Sequence, residues 1–114
     1  MNFTFGVRAK DVEEAAPWVV RATGLVAVAR ESSDKGGDYY SFDGPDHSEM
    51  WLVRNRDVYD DEPVVSGADE WEIAILIQGA EENAFVVRAL LDDPEHFVFA
   101  MKRPGLYRTA DITE

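Results

Sequence analysis

The sequence predicts an α+β fold, with two helices packed on one face of a mainly antiparallel sheet in a single domain. Residues 2–8 alternate between apolar and polar side chains, as in a strand with one buried face. Residues 12–23 carry apolar side chains at helical spacing. Residues 73–77 form the most hydrophobic run of the chain, which is typical of a buried central strand. The whole pattern gives the order β-α-β-β-β-β-α-β and favours a variant of the ferredoxin-like arrangement.

The first helix has signals at both of its ends. Asp11 can cap the N-terminus, and Glu14, three residues later, completes the pattern of a capping box. Gly24 is suited to end the helix in a left-handed conformation. Pro17 lacks an amide proton, so we expect a kink there or a loose first turn.

Three short strands follow the first helix. Turn-forming residues at 32–37 and 44–46 separate them and predict hairpins. The expected strands cover residues 25–31, 38–42 and 50–54.

The second half of the chain predicts one buried strand, one helix and a last strand. The strand covers residues 71–78, and Gly79 ends it. The helix is expected at 81–91, with Glu81 and Glu82 in its first turn, where the helix dipole favours acids. Its inward-facing side chains are expected to be Ala84, Val87, Leu90 and Leu91. Phe97, Phe99 and Met101 then alternate as in a strand, so the domain spans residues 1–103 and 104–114 form a tail.

The amino-acid composition limits the classes of protein to which this chain can belong. The 114 residues carry a net charge of −12, which argues against binding nucleic acid or an anionic membrane. The absence of Cys excludes disulfides and fits a reducing compartment, and the N-terminus lacks the features of a signal peptide. We therefore expect a cytoplasmic protein.

The negative charge is concentrated in residues 57–87. This stretch holds nine carboxylates and no Lys or Arg, so it carries −9 of the total −12. A connection of about 14 residues precedes its hydrophobic strand, and loops of that length are often functional. We predict a surface that binds a basic protein partner, whereas the alternative is that the charge serves solubility alone. The acidic residues predicted to bind are Asp57, Asp60, Asp61, Glu62, Asp69, Glu70 and Glu72.

Aromatic and basic residues predict a second part of this interface. Tyr39 and Tyr40 are neighbours in a strand and point to opposite faces, and Trp51 points away from Met50 and Leu52. A sheet face that combines one Tyr, Trp51 and Arg54 has the composition of a protein interface. In the alternative interpretation, helices cover this face and Trp51 belongs to the core.

No catalytic motif is present in the sequence. It contains neither a glycine-rich phosphate loop after a strand nor a nucleophile elbow. His47 and His96 lie in different segments, and residues 60–62 lack the spacing of a calcium loop. The sequence therefore predicts no catalytic residue, metal or cofactor.

Two resemblances bear on the interpretation. Val7, residues 11–16, Trp18 and residues 24–25 resemble the opening βαβββ module of vicinal-oxygen-chelate proteins, over residues 1–56. That resemblance implies a related local fold without the metal site, because the first strand offers no His ligand. As a small, acidic, Cys-free domain, the whole chain also resembles bacterial immunity proteins. This resemblance implies neutralisation of a cognate basic toxin by occlusion and electrostatic complementarity.

Two other functions stay open at this point. A small molecule could bind in a pocket between sheet and helices or at the interface of a homodimer. An enzyme could use carboxylates that the sequence does not single out.

Overall fold

A computed structural model describes residues 2–32, 37–43, 49–55, 71–79 and 84–103. The elements follow the predicted order. They are β1 (Asn2–Val7), α1 (Val12–Thr23), β2 (Val28–Ser32), β3 (Gly37–Asp43), β4 (Glu49–Arg54), β5 (Ile73–Gln78), α2 (Phe85–Leu91) and β6 (Phe97–Arg103). The predicted tail at 104–114 lies outside the described residues.

The six strands form one antiparallel sheet in the order β2-β3-β4-β5-β1-β6. Helix α1 connects β1 to β2, which run parallel and are separated by β5, β4 and β3. Helix α2 connects β5 to β6, which are also parallel and are separated by β1. The second unit has the single intervening strand of a ferredoxin-like split βαβ unit, whereas the first has three because a four-stranded meander lies between the helices. The α+β fold with two helices on an antiparallel sheet confirms the predicted fold class.

The hydrophobic core lies between the sheet and the two helices. Phe5, Leu52 and Ile75 of the sheet pack with Val19 of α1 and Leu90 of α2, and all five are fully buried. The five residues at 73–77 are buried whichever face they point to, so the prediction of a strand buried on both faces is confirmed. We call the sheet face opposite the helices the outer face.

The ends of α1 show why the helix starts and stops where it does. The Glu14 amide donates to Asp11 Oδ1 at 2.7 Å, as predicted. In a capping box the Glu14 carboxylate would accept from the amide of the cap residue, Asp11. Here it accepts from the amide of Lys10, the residue before the cap, at 3.0 Å. Gly24 has φ 74° and its amide donates to the Val20 carbonyl oxygen at 2.7 Å. The helix continues through Pro17.

Helix α2 differs from its prediction at both ends. It begins at Phe85 because Ala84 has an extended backbone with ψ 147°, so Glu81 and Glu82 precede the helix and do not lie in its first turn. Its buried stripe consists of Val86, Val87 and Leu90. Leu91, the last residue of the helix, lies at the margin of that stripe and is 51% exposed, so the prediction that it faces inward is wrong.

The last strand runs along an edge of the sheet. Phe97 is buried as predicted, whereas Phe99 is 46% exposed because β6 has a described neighbour on one side only. Phe99 still packs edge-on against Phe5, with ring centroids 5.6 Å apart. The register with β1 shifts between Thr4 and Phe5, which marks a bulge in this edge. At the opposite edge, β2 starts at Val28, three residues later than predicted.

Candidate functional site

Acidic residues are numerous in the connections that start and finish at one end of the sheet. Strands β1, β2 and β4 and helix α2 finish at this end, whereas β3, β5, β6 and α1 begin there. Four connections, residues 8–11, 33–36, 55–72 and 92–96, therefore start and finish at this end, which we call the acidic end. They contain twelve Asp or Glu and four Lys or Arg.

The opposite end of the sheet is far less charged. Its three connections, residues 24–27, 44–48 and 79–84, contain three acids and no base. The connections that start and finish at the two ends of the sheet thus differ strongly in their acid content. A field of one sign at one end of a rigid sheet attracts ligands of the opposite sign.

Asn55 holds the two ends of the longest acidic connection together. Its backbone amide donates to the Glu72 carbonyl oxygen at 2.6 Å, and its Nδ2 donates to the Trp71 carbonyl oxygen at 2.9 Å. Asn55 is fully buried, so these bonds are shielded from water. Segment 56–70 accordingly leaves and rejoins the sheet at one fixed place.

A cleft of about 240 Å³ opens at the acidic end beside the start of α1. Both signs of charge line it, and the described residues form no ion pair across it. Asp11 is engaged as the helix cap, whereas Glu13, Asp38 and Glu72 are exposed. The lining residues are Lys10, Asp11, Val12, Glu13, Asp38, Arg54, Glu72 and Ile73. The volume is below the roughly 300 Å³ at which pockets for drug-sized ligands begin.

Trp51 and Arg54 lie on different faces of the sheet. Trp51 pairs with Leu76 on the outer face, while Leu52 packs into the core beneath the helices. Arg54 is two residues beyond Leu52 and reaches the cleft on the helix side, because side chains alternate along a strand. The prediction that Trp51 and Arg54 share a face is therefore wrong.

The two tyrosines point to opposite faces, as predicted. Tyr40 packs against the core on the helix side, whereas Tyr39 is half-buried on the outer face. The outer face does carry an arginine near Tyr39, but it is Arg30, which lies directly opposite Tyr39 and donates from Nε to Ser41 Oγ at 3.0 Å. Trp51 is half-buried on this face, which the helices do not cover.

Trp71 adds an aromatic side chain to the acidic end. Its ring packs directly over Gly6, and the Arg8 guanidinium carbon lies 5.9 Å from the ring centroid. Trp71 is half-buried. Sequence reasoning did not single it out, because the residue lies next to the core strand and looks like part of it.

The predicted site residues that the structure describes do not form one site, and Tyr40 packs against the core. Glu72 and Arg54 meet in the cleft, and Tyr39 and Trp51 share the outer face. The acidic residues Asp57, Asp60, Asp61, Glu62, Asp69 and Glu70 lie outside the described residues. Sequence reasoning missed Glu13, Asp38 and Asn55, since only the strand order brings them to the acidic end.

His96 has a structural role at the same end. Its Nδ1 lies 2.9 Å from Asp93 Oδ2, and its ring centroid lies 4.3 Å from that of Trp18 on α1. Its carbonyl oxygen accepts from the Arg8 amide at 3.0 Å. These contacts tie the turn before β6 to the first helix. His47 lies outside the described residues.

Comparisons with family models, curated proteins and solved structures found no significant match. Within the described residues, no group of His, Asp and Glu has the geometry to hold a metal ion. In the same part of the chain, neither helix has the length and hydrophobicity needed to cross a bilayer.

Proposed function

We propose that this chain is a non-enzymatic binding protein of the immunity type, which neutralises a basic protein partner in the bacterial cytoplasm. The observation that carries the proposal is that the four connections that start and finish at one end of the sheet contain twelve acids. The buried Asn55 supports it, since its hydrogen bonds hold both ends of segment 56–70 at that end.

The mechanism combines electrostatic attraction with occlusion. Carboxylates at the acidic end raise the rate of encounter with a cationic surface, such as the substrate-binding groove of a toxin that acts on nucleic acid. Half-buried aromatic side chains, Tyr39 and Trp71, lie near the same end and are suited to be anchors. The bound chain would then cover the groove without any chemical step.

Affinity capture tests the proposal. The full chain is immobilised and exposed to a lysate of the source organism at low and at high salt. We expect a basic protein to be retained at low salt and released at high salt, because screening weakens contacts between exposed charges.

Matched variants make the capture experiment decisive. One variant replaces Asp60, Asp61 and Glu62 with the corresponding amides and is expected to retain far less of the partner. A second variant neutralises Glu49, Glu81 and Glu82, which belong to the opposite end, and is expected to keep it. No retained protein at low salt, or equal retention by both variants, would overturn the proposal.

A further inference from the structure

The two edges of the sheet differ in how they are protected from pairing with another strand. Edge strands usually carry bulges, Lys or Pro that prevent such pairing. Strand β6 has the bulge opposite Thr4 and Phe5, and its sequence contains Lys102 and Arg103. Strand β2 pairs with β3 in an unbroken register of five residues and contains neither Lys nor Pro, and its two charged residues, Arg30 and Glu31, are adjacent and of opposite sign.

Strand β2 also exposes apolar side chains. Val28 is 43% exposed on the strand, and Val26 just before it is 76% exposed. Among the described residues, β2 has a hydrogen-bonded neighbour on one side only. On its other side, the backbone amides and carbonyls of β2 have no partner among the described residues, and exposed valines lie next to them.

Charge determines which partner this edge fits. Residues 15–30 contain no Asp or Glu and two Arg, and they form the longest acid-free run of the chain. Glu31 is the only acidic residue of β2, so this strand offers little attraction to a basic partner. A second copy would experience no repulsion from a cluster of like charges along β2. The edge thus suits a second copy of this chain, despite the net charge of −12.

We propose that two copies pair antiparallel through β2 and form one continuous twelve-stranded sheet. In a two-fold symmetric antiparallel pair, the axis passes through one residue position of the strand. An axis at Arg30 or at Glu31 places like charges directly opposite each other, which is unfavourable. An axis at Ala29 places Arg30 opposite Val28 of the second copy and Glu31 opposite Ala27, so it is the favoured register among the three inner positions of the strand.

The geometry of this dimer leaves both candidate sites free. Antiparallel pairing directs the two acidic ends to opposite ends of the joined sheet. Their mutual repulsion is then reduced by distance and by screening. Each copy can bind its partner as proposed above, but the dimer does not depend on that function.

Sedimentation equilibrium of the full chain tests the dimer. We expect a reversible monomer–dimer equilibrium that tightens as salt is added, because salt screens the repulsion between two chains of charge −12. Capture of a basic partner is expected to weaken under the same change. A chain that stays monomeric at every concentration and salt level overturns the dimer and leaves the proposed function untouched.

Charge substitutions at the axis test the register. Ala29 is exposed, so Ala29→Lys is expected to fold and to weaken the dimer about fivefold, because two lysines then face each other. Mixing Ala29→Lys with Ala29→Glu is expected to restore pairing as a heterodimer. Leu91→Lys, at an exposed position on α2, is the control and is expected to dimerise like the wild type. Equal weakening by Leu91→Lys and Ala29→Lys, or no gain on mixing, contradicts the proposal.

Discussion

Gly6 lies directly against the indole ring of Trp71 on the outer face of the sheet. A Cβ atom built on Gly6 would overlap the ring atoms of Trp71. The absence of a side chain at Gly6 therefore lets the indole ring lie directly against the backbone. Gly24 has a different role, because its φ of 74° ends helix α1 and the space around it is open. The contact also orients Trp71 beside the Arg8 guanidinium.

Replacement of Gly6 by Ala is expected to lower the free energy of unfolding by about 1–3 kcal/mol, since the indole or the strand must shift. Urea denaturation measures this change. The control is the same substitution in a Trp71→Leu background, where the penalty is expected to shrink because the ring is gone. Equal penalties in both backgrounds would show that the ring is not the cause.

At the scale of elements, β4 and β5 are joined by more than their ladder. Asn55 follows the last residue of β4, and its backbone amide and side chain donate to the carbonyl oxygens of Glu72 and Trp71, the two residues that precede β5. The bonds close a connection of 15 residues, 56–70, without using any residue of that connection. The ends of the acidic segment are thus positioned by the sheet.

Asn55→Asp tests this role, because the substitution keeps the shape and removes the Nδ2 donor. A carboxylate oxygen then faces the Trp71 carbonyl oxygen in a buried place, so we expect the free energy of unfolding to fall by about 1–3 kcal/mol. Limited proteolysis in segment 56–70 is expected to become faster. An unchanged urea midpoint together with unchanged proteolysis would contradict the prediction.

At the scale of the whole molecule, the antiparallel topology separates charge. Neighbouring strands alternate in direction, so the connections fall alternately at the two ends of the sheet. Residues 55–72 and 92–96 lie far apart in sequence yet open at the same end, and together they contain ten acids. Such an uneven distribution of acids orients the approach of a cationic molecule, and the function proposed above relies on this effect.

A pair of charge reversals tests whether this distribution steers binding. Glu72→Lys and Glu49→Lys change the net charge equally and alter exposed residues at opposite ends of the sheet. For the partner isolated by capture, we expect Glu72→Lys to slow association about tenfold at low salt and Glu49→Lys to slow it much less. Surface plasmon resonance measures both rates. Equal slowing by the two variants would mean that net charge, and not its placement, controls encounter.

The sequence by itself determined the elements of this fold, because helix and strand periodicities are local. The cap at Asp11, the end of α1 at Gly24 and the doubly buried strand β5 all follow from patterns within a few residues. The predictions were wrong where the exposure of a residue or the end of an element depends on tertiary contacts. Leu91 carries an apolar side chain in a helical pattern, yet only its position relative to the sheet leaves it exposed.

Only the tertiary structure decided how the site is composed. Asp38 and Glu72 are 34 residues apart in sequence, and no local pattern connects either of them to Glu13. The strand order brings all three to one cleft and also places Arg30, instead of Arg54, on the face of Trp51. Local periodicity specifies which way a side chain points along its own element. Which elements share a face or an end of the sheet depends on how all of its strands pair.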